Sequence, residues 1–141
     1  MSGYWEDVLA WSERQGALLR RIAAGEAVKE RPDWDNIIEE VESVGRSELA
    51  ALKSLLVQAL AYMLKAEAWP LSPDVPRWQA EARGFRAYAA DRFSPSMRQN
   101  IDITVLYRRA LRRLPEAIDG QRPLPVPEQC SVTLDELLSE D

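Results

Sequence analysis

The stretch DWDNIIEEVESVGRSELAALKSLLVQALAYMLK, residues 33–65, decides the fold. Asp33 is typical of a helix N-cap, because its carboxylate can accept hydrogen bonds from the free amides of the first turn. Apolar residues then recur at helical spacing, namely Trp34, Ile37, Ile38, Val41, Val44, Leu52, Leu55, Leu56, Ala59 and Met63. No proline follows before Pro70, so the spacing predicts one long helix against which shorter helices pack.

Gly45 lies on the apolar side of this predicted helix. Glycine inside a helix costs about 1 kcal/mol relative to alanine, so its position needs a physical reason. One interpretation is close approach of another helix, and the other is a kink. The residues after Gly45 show no capping or turn chemistry, which favours close approach. We expect Trp11 of the first helix to pack onto Gly45.

Shorter helices are predicted on both sides of the central one. The first is expected from about Gly3 to Ala24, antiparallel to the central helix because the link between them is short. The third is expected from about Pro76 to Arg92, with its inward residues at Trp78, Ala82, Phe85 and Ala89. A fourth should begin with Ser94 as N-cap and Pro95 in the first turn, and carry Met97, Ile101, Val105, Leu106, Leu111 and Leu114 inward.

The end of the chain is predicted to lie against this bundle. Residues 121–132 are rich in proline, which favours an extended segment. Thr133 and Glu136 have the spacing of a capping box and predict a terminal helix over residues 133–139. We therefore predict one all-α domain over residues 1–141: an up-down helical bundle of four main helices around one long central helix, plus a short C-terminal helix.

The composition excludes several kinds of active site. The 141 residues include no histidine, which removes Ser-His-Asp and Cys-His catalysis, histidine metal ligation and the Glu-x-x-His di-iron pattern of helical bundles. A single cysteine, Cys130, excludes an intramolecular disulfide. The net charge of −5 argues against general nucleic-acid binding. No apolar run is expected to reach transmembrane length and no signal pattern is present, so we expect a soluble, cytoplasmic protein with no membrane contact.

Carboxylates are the first candidates for chemistry. Glu39, Glu40 and Glu42 are the densest acidic cluster, but three glutamates on one helix do not converge as a metal site requires. Glu42 can pair with Arg46 at the favourable i,i+4 spacing, and we expect no metal and no cofactor. Glu48 falls inside the apolar arc. Either it is buried and bonded to a neighbouring helix, or it is a carboxylate of raised pKa that lines a small pocket.

A second candidate patch lies near the end of the central helix. Tyr62 and Lys65 share one side of that helix, and Trp78 and Arg86 of the third helix are expected near them. Together these four side chains could bind a carboxylate or a phosphate. The alternative interpretation is a rim of amphipathic side chains that covers the edge of the core.

Charge is spread unevenly along the chain. Residues 1–67 contain 12 acids and 8 bases, whereas residues 77–122 contain 10 bases and 5 acids. The simplest interpretation is that the acidic helix faces the basic helices within one fold. The alternative is a patch for an anionic partner formed by Arg108, Arg109, Arg112 and Arg113. Their spacing distributes them over more than one helix face, and no stacking aromatics accompany them.

Residues along nearly the whole chain carry a resemblance to a known family. They are Tyr4, Asp7, Trp11, Gln15, residues 18–20, Asp33, Trp34, Ile37, residues 39–42 and 45–47, Leu64, Lys65, Trp78, Arg86, residues 94–97, Tyr107 and Cys130. This pattern resembles the bacterial domain-of-unknown-function family number twenty-nine, most specifically over residues 34–47. The resemblance implies an almost entirely helical fold and brings no established activity.

This chain departs from the family pattern at two places. Family members typically have His-Leu-Leu-Lys where residues 62–65 read Tyr-Met-Leu-Lys, and often have proline where Ser131 stands. A catalytic or ligand role of that histidine would be absent here. A structural role survives the exchange better, because Tyr62 can still donate a hydrogen bond.

No converging catalytic set is visible, so we expect a non-enzymatic protein-interaction or regulatory module with an unknown protein partner, or a homo-oligomer formed through a long exposed helix. The first alternative is a module that binds a small ligand or anion, or a carboxylate-dependent enzyme, with its pocket near Glu48, Tyr62 and Arg86. The second is a nucleic-acid-associated protein that uses the Arg-rich fourth helix. Nucleic acid is the least expected of these partners.

Overall fold

A computed structural model describes residues 3–139, and its regular elements are helical. The α-helices are α1 (Val8–Ala23), α2 (Trp34–Ala68), α3 (Val75–Arg92), α4 (Ile103–Leu111) and α5 (Leu134–Leu138), with a 3₁₀ helix over Pro95–Asn100. Within residues 3–139 the only β-type pairing is an isolated bridge between Ile118 and Gln121. The predicted all-α fold class is confirmed.

The helix ends follow from local chemistry. The carboxylate of Asp7 accepts a hydrogen bond from the amide of Ala10 and starts α1 five residues later than predicted. α2 begins directly after Asp33 and ends directly before Trp69 and Pro70. Thr133 and Glu136 form the predicted capping box at the start of α5.

The chain groups into two compact units whose boundary lies between Ser47 and Glu48, inside α2. The prediction of a single domain over residues 1–141 stays a prediction. Among the described residues of unit 1, which ends at Ser47, the buried side chains are those of Trp11, Gln15 and Leu18, together with Pro32.

Unit 2, from Glu48 onward, contains the main apolar core. Leu52, Leu56, Leu60 and Leu64 of α2 are each at most 3% exposed. α3, α4 and α5 cover them with Ala89, Leu106, Tyr107, Ala110 and Leu137. Because this half of α2 meets three other helices, it is the central helix of unit 2 and agrees with the predicted arrangement.

The fourth helix is shorter than predicted. The 3₁₀ helix at Pro95–Asn100 stops at Ile101, and α4 then starts with its own N-cap, since the Asp102 carboxylate accepts from the Thr104 amide at 3.0 Å. The predicted N-cap Ser94 makes no side-chain capping bond. Val105, predicted to point inward, is exposed.

The first half of α2 differs most from the prediction. Trp34, Ile38, Val41 and Val44, which we call the α2 strip, are between 39% and 69% exposed. Gly45 has open space where a side chain would lie, so no helix approaches it and the predicted packing of Trp11 onto Gly45 is wrong. α2 continues through Gly45 without interruption.

By length and composition alone, α2 could cross a membrane, so the expectation that no apolar run reaches that length is wrong for this helix. This is weak support for a membrane span, because the core helix of a globular unit has the same length and composition. Leu52, Leu56 and Leu60 of α2 are in fact covered by α3, α4 and α5.

Truncating Leu56 to alanine should destabilise unit 2 by about 2–5 kcal/mol, because a fully buried side chain is replaced by a cavity. Urea unfolding followed by far-UV circular dichroism measures the change. Leu71→Ala is the matched control, since Leu71 is 97% exposed and its loss should change stability by about 0.5 kcal/mol or less. Equal effects of the two substitutions would contradict the assigned core.

Candidate functional site

Asp33 joins α1 to the start of α2 inside unit 1. Its carboxylate accepts hydrogen bonds from the indole of Trp11 and the amide side chain of Asn36, each at 2.8 Å. Its backbone amide donates to the side-chain oxygen of buried Gln15 at 2.8 Å. Trp11 is therefore level with the beginning of α2, about one-third of the helix away from the predicted position at Gly45.

These contacts keep Asp33 ionised. The hydrogen bond from the Asn36 side chain, followed by that from Trp11, lowers the pKa of Asp33 below its ordinary value of 3.8. The arrangement combines a helix cap with a bond between two helices. We interpret it as structural, because each polar group has a protein partner.

Two carboxylates of the acidic cluster have specific partners in unit 1. The hydroxyl of Tyr4 donates to Glu40, and this hydrogen bond is the first cause that raises the pKa of Tyr4. Glu39 pairs with Arg46 at 2.6 Å, on the exposed surface. The predicted pair between Glu42 and Arg46 is wrong, because Arg46 reaches two turns back along α2 to Glu39.

Glu48 is not the buried carboxylate that the helical pattern predicted. Its side chain is 52% exposed and lies 3.8 Å from a guanidinium nitrogen of Arg92. The expected partner on a neighbouring helix is present, but Glu48 is not buried, because the apolar arc of α2 is uncovered around this position. A carboxylate this exposed has no desolvated pocket to line.

Three of the four predicted anion-binding side chains do come together in unit 2. The ammonium of Lys65 lies 5.3 Å from the centroid of the Tyr62 ring and 5.0 Å from that of Trp78. The Tyr62 ring also stacks on Phe85 with centroids 5.9 Å apart. Lys65 is therefore held by cation–π contacts along the edge of the core.

Arg86, the fourth member, lies elsewhere. Its guanidinium donates to the backbone carbonyls of Leu137 at 3.1 Å and Glu136 at 2.8 Å, and reaches that of Ser139 at 3.3 Å. A cation at the C-terminal end of a helix satisfies carbonyls that have no partner within the helix. Arg86 thus attaches α5 to α3 and does not face Glu48.

A different arginine takes its place beside Lys65. A pocket of about 200 Å³ is lined by Arg113, Lys65, Tyr62, Gln58 and Ala61. Sequence reasoning had placed Arg113 in a patch with Arg108, Arg109 and Arg112. The helical pattern could not show this pairing, because Arg113 follows the end of α4 and its position depends on how α4 meets α2.

The remaining candidates form no catalytic or metal arrangement among residues 3–139. No group of three or more aspartate, glutamate or cysteine side chains is placed to hold a metal ion there. Arg108, Arg109 and Arg112 of the proposed nucleic-acid patch are exposed, and two of them lie in the last turn of α4. Tyr107, which had no predicted role, is buried and its hydroxyl donates to the carbonyl of Pro127.

Fold and side chains together define an all-helical protein with no recognisable catalytic centre among its described residues. The family profile described as Domain of unknown function DUF29 matches residues 4–141, so the chain belongs to this family and the resemblance seen in the sequence is confirmed.

A solved structure has a similar fold. It is the crystal structure of an alpha-helical protein of unknown function from Rhodospirillum rubrum, with 29% sequence identity and a TM-score of 0.64. The alignment covers 100% of this chain and 92% of that one. Among curated proteins, no match is found. Family and fold are thus established, while no specific function comes with them.

Replacing Asp33 by asparagine should lower stability at neutral pH and have little effect in acid. The folded pKa of Asp33 is below the ordinary 3.8, so its ionised form stabilises the fold above that pH, and this contribution is lost as the pH falls through the folded value. In thermal unfolding measured from pH 7 to pH 2.5, the unfolding temperatures of the variant and the unmodified protein should converge below about pH 4.

Asp35→Asn is the control for this experiment, because Asp35 is also acidic and in the first turn of α2 but is not bonded to Trp11 or Asn36. The unfolding temperature of this variant should differ less from that of the unmodified protein, and the difference should not follow the titration of Asp33. If Asp33→Asn lowers the stability by the same amount at every pH, the charge of Asp33 does not have the proposed role.

Replacing Arg86 by glutamine should loosen α5 while the rest of unit 2 stays folded. Hydrogen bonds from a charged donor contribute about 1–3 kcal/mol, so amide exchange at Leu137 and Ser139 should accelerate in the variant. Hydrogen–deuterium exchange measures this directly. Arg83→Gln, on the same helix but without a hydrogen bond to α5 among the described residues, should leave exchange in α5 unchanged.

Proposed function

We propose that the protein is a non-enzymatic protein-interaction module whose α2 strip docks an amphipathic helix of a partner protein. The observation that carries the proposal is the exposure of Trp34, Ile38, Val41 and Val44 on one helix. Apolar side chains grouped in this way mark interaction surfaces more often than isolated exposed leucines do.

The spacing of the strip supports a helical partner. Trp34, Ile38 and Val41 stand at positions i, i+4 and i+7 along one side of α2. A partner helix laid along this side could place its own apolar residues between them, as in helix-to-helix recognition. Covering these side chains would remove apolar area from water at roughly 25 cal/mol per Å².

Charge beside the strip supports a basic partner over a second copy of this chain. Asp35, Glu39 and Glu42 project from neighbouring positions on one edge, where Arg46 is the only base and already pairs with Glu39. A basic helix edge would meet these carboxylates favourably. Two copies joined through the same strip would bring acidic edges together, which opposes self-association.

A test uses a labelled helical peptide with a leucine stripe and lysines along its edge, and a matched peptide in which glutamates replace those lysines. Fluorescence anisotropy should show saturable binding of the basic peptide and much weaker binding of the acidic one. Truncating Ile38 and Val41 together to alanine should weaken binding by about tenfold or more, since both would lose buried apolar area.

Leu71→Ala is the control for surface hydrophobicity, because it removes an exposed leucine outside the α2 strip. It should bind as the unmodified protein does. Equal binding of both peptides would contradict the charge argument. Concentration-dependent dimerisation in sedimentation experiments, abolished by the Ile38 and Val41 substitutions, would replace the proposed partner with a second copy.

A further inference from the structure

We propose that the pocket between α2 and the end of α4 binds a small oxyanion, namely a phosphate group or a carboxylate of a small molecule. Its walls are formed by Gln58, Ala61, Tyr62 and Lys65 of α2 and by Arg113 just after α4. The lining contains two cations and no carboxylate. This site lies in unit 2 and is independent of the α2 strip in unit 1.

The two cations have no counter-charge within the described chain. Among residues 3–139, neither the ammonium of Lys65 nor the guanidinium of Arg113 has a hydrogen-bond or ion-pair partner. Arg86 and Arg92 of α3, in contrast, each have a hydrogen-bond or ion-pair partner. Two like charges brought to one pocket repel each other, so an anion between them would relieve that repulsion.

Lys65 is positioned before any ligand arrives. Its ammonium lies over both Tyr62 and Trp78, and Trp78 is fully buried, so the aromatic support is fixed by the core. A side chain held in place loses less conformational entropy when it binds a ligand. The cation–π contacts leave the three N–H donors of the ammonium available.

The other lining groups suit an oxyanion. Arg113 offers a planar fork of N–H donors that can bind two oxygens of a phosphate or carboxylate. The hydroxyl of Tyr62 has no hydrogen-bond partner among residues 3–139 and can donate as well. The Gln58 amide is bonded at 3.3 Å to the carbonyl and hydroxyl of Ser54, which keeps this wall in place.

The size of the pocket limits the ligand. A volume of about 200 Å³ accommodates a phosphate or carboxylate group with a few attached carbon atoms. It is smaller than the roughly 300–1,000 Å³ that is usual for drug-sized ligands and nucleotide-like cofactors. We therefore expect phosphate monoesters of small alcohols or short dicarboxylates, bound at an open site with modest affinity.

Inorganic phosphate and succinate are the two probes, titrated separately into the full chain and followed by amide shifts in heteronuclear NMR. Ionic strength is held constant with chloride, because exposed charges are screened by salt. We expect saturable shifts at residues 58–65 and 110–114 with at least one probe. The preference between the probes identifies whether phosphate or carboxylate is the natural group.

Lys65→Met and Arg113→Gln each remove one charge and should weaken binding by about tenfold or more, as expected when one charge-assisted hydrogen bond is lost. Circular dichroism checks that Lys65→Met keeps its helix content, and exposed Arg113 provides a second variant with little structural risk. Arg112→Gln changes the adjacent exposed arginine outside the pocket and should keep its affinity within about twofold.

Three results would overturn the proposal. The first is no saturable binding of either probe. The second is unchanged affinity in both Lys65→Met and Arg113→Gln. The third is an equal loss in Arg112→Gln, which would mean that the net charge of the region, and not this pocket, attracts the anion. None of these results affects the test of the α2 strip, which uses peptides and different residues.

Discussion

The burial of one side of α2 beneath three other helices is the interaction on which unit 2 depends. Leu52, Leu56, Leu60 and Leu64 recur every four residues, and α3, α4 and α5 meet this row from different parts of the chain. α5 has only five residues and is too short to be stable alone, so its position depends on this core and on Arg86. The pocket that contains Lys65 adjoins this core through Ala61.

The two halves of α2 have the same apolar periodicity but different surroundings. In unit 2 the periodic residues are covered, while the α2 strip of unit 1 remains exposed. Unit 1 is instead held by polar contacts that center on Asp33, with a small apolar contribution from Trp11 and Leu18. Because these contacts fix the start of α2 without covering the α2 strip, the strip stays open to a partner. This is the physical basis of the proposed docking surface.

The sequence predicted the elements better than their environments. The start of α2 directly after Asp33, its end before Pro70 and the capping box at Thr133 depend on neighbouring residues, and each was found. The exposure of Val41 and Glu48 was missed, because periodicity indicates that residues share a helix side but not that another helix covers that side. The position of Trp11 was wrong for a related reason: helix spacing does not set the register between two helices.

The same limits apply to the candidate site. Tyr62, Lys65 and Trp78 were correctly grouped because they lie near one helix connection, whereas the meeting of Lys65 with Arg113 depends on tertiary structure alone.

The contacts of Arg86 have a further consequence. Its hydrogen bonds to residues 136, 137 and 139 go to main-chain oxygens. Residues on the exposed side of α5 can therefore be substituted without loss of these hydrogen bonds. Arg86 itself has no equivalent, because no other side chain offers the same planar set of N–H donors.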